Sequence, residues 1–178
     1  FDSGIMYRAV TAAALQRGID AHDQLALRDL TETMLLDILP PGDATDGRQN
    51  TVLVDGADIT GLLRGPLIDR SVSAVSADAR VRKALMHHQR RLGLRYGAGD
   101  AEMAGIVMVG RDIGASVLRE APLKVYLDAT ARERAHRRFV EQQAKGNVVP
   151  FEEVYADILA RDALDSGREI SPARRSTA

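Results

Sequence analysis

Gly110-Arg111-Asp112-Ile113-Gly114 follows directly on Gly105-Ile106-Val107-Met108-Val109, setting a guanidinium beside a carboxylate at the end of an apolar run. Arg111 offers a fork of donors suited to a phosphate, whereas an ionised Asp112 can only accept. Such a run reads as a strand buried on both faces of a parallel sheet. In open α/β sheets the ligand crevice lies at the carboxyl ends of these strands, and a glycine there admits a ligand close to the backbone. The plainer reading is a strand-end turn with a local ion pair, and this pattern alone does not choose between them.

A second fragment supplies more of the same chemistry. Phe1-Asp2-Ser3-Gly4-Ile5-Met6-Tyr7-Arg8 leads into an alanine-rich run ending at Gly18. This predicts a helix over 5–17, with Asp2 or Ser3 as N-cap and Gly18 as C-cap. Helix N-termini attract anions, and Arg8 lies within two turns of this one. Read plainly, Ser3 is only a cap and Arg8 only a surface charge.

Composition narrows the classes. A chain of 178 residues with 45% hydrophobic content fits one domain with an ample core. A net charge of −1 argues against a general nucleic-acid footprint. There is no cysteine, so disulfides, thiolate nucleophiles and cysteine-bound zinc are excluded. His22, His87, His88 and His136 show no metal-ligand spacing with acidic residues, so no metal ligand is assigned. No apolar run approaches membrane-spanning length, and a cytoplasmic protein with no membrane partner is expected.

The elements that must position these groups are read along the chain. A second helical stretch begins near Asp20; Met34 to Leu39 could end it or form a strand, and Pro40-Pro41-Gly42 stops it either way. Thr51-Val54 and Ala57-Thr60 flank an Asp55-Gly56 turn signal. Pro66 starts a helix with Ile68, Val72 and Val75 in one stripe, and Asp78 opens another carrying Val81, Leu85 and His88. Gly93 to Gly99 reads as a loop, and Leu123-Lys124-Val125-Tyr126-Leu127 as a second core strand. Thr130 caps an arginine-rich helix running to about Lys145, and Pro150 begins a last helix through Asp162.

In this order the motifs resemble bacterial cytidylate kinases, a branch of the nucleoside monophosphate kinases. The matching residues are Asp2-Ser3-Gly4-x-Met6-Tyr7-Arg8, Asp55-Gly56-x-Asp58-Ile59-Thr60, Ser73-x-Val75, Arg80-Val81-Arg82-x-Ala84-Leu85, Gln89-Arg90, the segment 110–114, Ala121-Pro122-Leu123-Lys124, Glu133 to Arg138, and Arg161-Asp162-x-x-Asp165-x-x-Arg168. The resemblance implies an α/β chain with the three-layer parallel-sheet P-loop kinase-like fold, a single domain over 1–178. Residues 34–92 would form a small β-hairpin and helical insert that binds CMP, and 129–150 a lid. It implies a monomer that transfers a phosphoryl group from ATP, with Mg2+, to CMP or dCMP.

The same resemblance assigns roles. Ser3, Arg8 and Arg111 would hold the acceptor phosphate, with Tyr7 nearby. Asp112, Ser73 and Arg82 match the base-reading positions; a carboxylate there would select the exocyclic amine of cytosine over the carbonyl of uracil. Arg161, Asp165 and Arg168 match positions that contact the sugar and close over the nucleotide. Arg134, Arg137 and Arg138 share one helix face and would meet ATP phosphates. Taken without the resemblance, that helix is an ordinary solvated one, its arginines balanced by Glu133 and Glu141, each four residues from Arg137.

Two departures accompany the match. The family's phosphate-binding loop precedes its Asp-Ser-Gly motif, which here begins at residue 2, and the family continues past Arg168 with a further strand and helix, so the fold is expected to be incomplete at both ends. The near-match Gly42 to Gln49 follows prolines, lacks the lysine, and places Asp43 and Asp46 where phosphates would be repelled. Val109 stands where the family usually has an acid that helps organise magnesium, which leaves a non-catalytic CMP-binding module as the alternative reading.

Overall fold

The computed structural model describes residues 1–98, 105–144 and 146–167. In chain order the elements are α1 (Gly4–Gln16), α2 (Gln24–Thr33), β1 (Leu36–Leu39), β2 (Thr51–Val54), β3 (Ala57–Asp58), α3 (Pro66–Ala77), α4 (Ala79–Gly97), α5 (Ala131–Ala144) and α6 (Phe151–Ser166). A 3-10 turn spans Thr60–Leu62 and a π-helical turn spans Ile113–Val117.

The N-terminal helix sits at the centre of the core. Met6, Ala9, Val10, Ala12, Ala13 and Ala14 are all buried, and the small alanines let α2, α3 and β2 approach closely. Of the two capping candidates it is Asp2 that acts, its Oδ1 accepting from the Gly4 N–H at 2.8 Å, while the Ser3 side chain makes no cap bond. At the other end Gly18 takes φ +67°, and the Ile19 N–H reaches back to the Ala14 carbonyl at 2.9 Å, a Schellman stop.

β1, β2 and β3 form an antiparallel sheet in that order, with Leu36 opposite Val54 and Ile38 opposite Val52. Asp55 and Gly56 have φ of +51° and +81°, the conformation of a type I′ turn. Asp55 holds the hairpin to its surroundings, accepting from the Leu35 N–H at 2.8 Å and from Arg17 at 2.6 Å. The long β1–β2 connection is tied down by Arg48, which pairs with Asp46 and Asp58. The near-match at Gly42 to Gln49 thus lies in a hairpin connection whose Asp46 is engaged by an arginine two residues on.

Several expectations need correction. The apolar runs 105–109 and 123–127 are not strands, and among the described residues the sheet is the antiparallel hairpin set alone. Among the described residues, parallel pairing is confined to an Asp2–Val109 bridge, in which Ser3 N donates to Val109 O and Val109 N to Phe1 O, both at 2.8 Å. A strand exists only where a neighbour completes its ladder, and Val107, Leu123, Val125 and Leu127 are at least 78% exposed. Helix α4 runs through Gly93 instead of stopping there. A Cβ at Gly93 would lie 2.6 Å from Leu118, so this glycine provides close packing within the helix rather than a break. Helix α2 starts at Gln24 because Asp23, not Asp20, caps it by accepting from the Ala26 N–H. Strand β3 is two residues long because Asp58 turns the chain into the 3-10 turn by accepting from both the Thr60 N–H and hydroxyl. Met34 ends α2 and the strand begins at Leu36, which settles that ambiguity. Helix α6 continues past Asp162 to Ser166. No helix among the described residues is long and apolar enough to cross a membrane.

Candidate functional site

Four parts of the fold meet around one buried ion pair. The N-terminus of α1 brings Ser3 and Tyr7, the first turn of α4 brings Arg82, the last turn of α3 brings the Ser76 carbonyl, and the turn after Val109 brings Asp112. Arg82 Nη2 donates to Asp112 Oδ2 at 2.9 Å, with both side chains almost sealed from solvent (6% and 11% exposed). Arg82 Nη1 also donates to the Ser76 carbonyl at 3.4 Å, and its guanidinium carbon lies 5.7 Å from the Tyr7 ring centroid, within cation–π range.

Gly110 is required by this packing. A Cβ there would fall 2.3 Å from the Ser3 hydroxyl and 2.7 Å from Ile113. The backbone bonds between Ser3 and Val109 set α1 against this turn. Ser3 itself is buried. Tyr7, Arg82 and Asp112 thus lie together, with Ser3 packed beside Gly110 two residues before Asp112.

Arg8 faces another way. Its Nη1 donates to the Leu63 carbonyl at 3.0 Å and pairs with Asp69 of α3 at 2.7 Å. Ser73, one turn beyond Asp69 on α3, is exposed, and its carbonyl accepts from the Ser76 hydroxyl. Asp69 had no assigned role in the motifs; its position four residues before Ser73, on the same helix stripe, was the available signal.

A second cluster forms on α5 and α6. Arg134 grips Asp162 in a two-pronged arrangement at 2.8 and 2.6 Å and donates through Nε to the Ala129 carbonyl at 3.1 Å. The Asp162 carboxyl is held below its ordinary range first by hydrogen bonds from Arg134, then by the charges of Arg134, Arg111 and Arg161. Arg134 is correspondingly raised, chiefly by Asp162, with Asp128 and Tyr126 adding to it. Three of the candidate arginines, 111, 134 and 161, thus lie within electrostatic reach of one carboxylate. Pairing across 28 residues leaves no local trace in a sequence, and the Asp162 role was missed for that reason.

Arg137 pairs with Glu133 at 2.8 Å and Arg138 with Glu141 at 3.2 Å, the local balance expected of a solvated helix, except that Glu141 takes Arg138 and not Arg137. Asp165 lies on α6, its side chain outside the described residues, and Arg168 lies outside them altogether. For magnesium the fit is poor: no three carboxylate or histidine side chains gather among the described residues, and Val109 presents only methyl groups at the expected position. For the phosphates of a nucleotide, Arg8 on α1, Arg111 in the 110–112 turn and the arginines of α5 are chemically apt.

Comparison with known proteins agrees with these motifs. The family model described as Cytidylate kinase matches residues 1–178. A cytidylate kinase of Herpetosiphon aurantiacus is 45% identical over 166 residues, covering 93% of this chain and 69% of that protein. One from Bacillus pumilus is 38% identical over 175 residues, covering 98% of this chain and 72% of its own length. A bifunctional pantoate ligase/cytidylate kinase of Prochlorococcus marinus is 40% identical over 176 residues, which make up 32% of that longer protein.

Proposed function

The chain belongs to the cytidylate kinase family, and from that premise we propose that it receives CMP or dCMP beside the Arg82–Asp112 pair and forms CDP or dCDP from it with ATP as donor. In this reaction an acceptor phosphate oxygen forms a bond to the γ-phosphorus of ATP, and the bond from that phosphorus to the ADP oxygen breaks. The protein's part is positioning and neutralising charge. The parallel three-layer sheet of the P-loop kinases, the insert over 34–92, the lid over 129–150 and action as a cytoplasmic monomer on free nucleotides all belong to this reading.

The observation that carries it is the sealed Arg82–Asp112 pair. Asp112 presents acceptor oxygens that suit the amine of cytosine and repel the carbonyl of uracil. Arg82 holds that carboxylate in place, and the Tyr7 ring lies over the guanidinium. Arg111, next in sequence to Asp112 and exposed, would meet the phosphate with Ser3. Arg8 would have to turn away from Leu63 and Asp69 to share the phosphate with them. Ser73 would meet the base from α3, and Arg161, Asp165 and Arg168 the sugar. Arg134, Arg137 and Arg138 would exchange their carboxylate partners for donor phosphates on lid closure. ATP supplies the phosphoryl group and carries Mg2+ on its own phosphates; no step here depends on a protein-held metal.

A second reading, a CMP-binding module without transfer, is favoured by Val109. A thermal-shift titration with CMP, UMP and AMP tests the binding both share. Selective stabilisation by CMP, lost in Asp112→Asn, is expected; equal response to UMP would remove the base-reading role. ADP release in the presence of CMP and ATP then separates the kinase from the module.

A further inference from the structure

Asp112 is held from one side by Arg82, but the segment that carries it is held elsewhere along α4. Arg82, Met86, Arg90 and Gly93 form one stripe of that helix, spaced four, four and three residues apart. Residues 112–120 lie along the stripe. Arg82 takes Asp112, and Met86 packs against the small cluster of Ile113, Val117 and Leu118. Gly93 leaves just the space that Leu118 occupies. Arg90 Nη1 donates to the Val117 carbonyl at 2.8 Å, and the same guanidinium pairs with Glu120 at 2.5 Å. Within the segment, the Asp112 carbonyl accepts from the Ser116 N–H at 2.8 Å, so the π-helical turn passes any displacement of Val117 back to Asp112.

We infer that Arg90 is a positioning residue for base recognition: through the Val117 carbonyl it holds the π-helical turn against α4 and so sets where the Asp112 carboxylate stands. This rests on the reading of Asp112 as the group that recognises cytosine. The bond to Val117 is the effective contact. It joins a charged donor to a backbone carbonyl that has left regular helical pairing. The pair with Glu120, about half exposed on both sides, contributes little by itself.

The test is calorimetric titration of the full chain and three variants with CMP and with UMP, below the melting temperature that circular dichroism gives for each. Arg90→Met should reduce the preference for CMP over UMP about tenfold, because recognition by a buried acceptor is sensitive to sub-ångström placement. Arg90→Lys, which keeps one donor for Val117, should fall between the parent and Arg90→Met, and Glu120→Gln should stay near the parent. A folded Arg90→Met with an unchanged CMP-to-UMP ratio, including one that loses both affinities equally, overturns the inference. Should Arg90→Met not fold, Arg90→Lys decides: a preference reduced about threefold is expected from the lost fork, and a ratio equal to the parent's overturns it. An unaltered chain that binds no CMP would defeat the functional reading, and this inference with it.

Discussion

Arg82 and Asp112 are costly to bury and more costly to separate. Two charges removed from water are tolerated only while each satisfies the other, and here the Ser76 carbonyl and the Tyr7 ring add to the support of Arg82. Arg82→Ala should therefore destabilise the chain by about 3–5 kcal/mol in urea denaturation, with part of that recovered in the Arg82→Ala/Asp112→Ala double variant. Arg137→Ala should change stability by less than about 0.5 kcal/mol, since its partner Glu133 is on the exposed surface of the same helix. The motifs named both residues of the buried pair, because residue types at fixed spacing are visible in a sequence. They did not reveal that Arg8 leans on Asp69 or that Arg134 is engaged by Asp162, since those partners are chosen by which helices pack together.

At the scale of elements, the hairpin β2–β3 shows how far local chemistry reaches. Its Asp55-Gly56 turn was legible, because left-handed backbone at two successive positions favours these residue types. Its anchoring was not: Asp58 accepts from Thr60 and from Arg48, which comes from the preceding connection. Hydrogen bonds from the Thr60 side chain, then Arg48, hold the Asp58 carboxyl down to about 2 from 3.8. The native state thus binds fewer protons than the unfolded chain between these values, so the stabilisation is present above about 3.8 and is lost as pH falls through about 2. In acid titrations followed by amide exchange of residues 51–58, Asp58→Asn should flatten the pH dependence in that window. An unaltered profile would show that the hairpin does not depend on this carboxylate.

For the whole molecule, one core runs from α1 through α2, the hairpin, α3 and α4, and a histidine sits in its α2–α4 seam. Burial, then the nearby Arg91 charge, pushes the His88 imidazole below its ordinary 6.5, while His87 acts in the same direction and Asp37 and the Thr31 backbone oppose it. A lowered histidine means the unfolded chain takes up protons first. Global stability should therefore fall as pH drops below 6.5 through the folded value, and His88→Gln should remove that fall in pH-dependent thermal melts.

Helix α1 with its glycine stop, the proline start of α3, the Asp78 start of α4 and the turn of the hairpin were determined by the sequence itself, because caps, turns and apolar spacing act over a few residues. So were the identities of the groups in the candidate site. The tertiary structure decided the rest. The apolar runs at 105–109 and 123–127 met no sheet ladder among the described residues, Gly93 became a contact instead of a helix end, and Asp112 was closed in by a helix some thirty residues earlier. Each of these outcomes depends on a partner distant in sequence, and composition and periodicity register the need for a partner without saying which it will be.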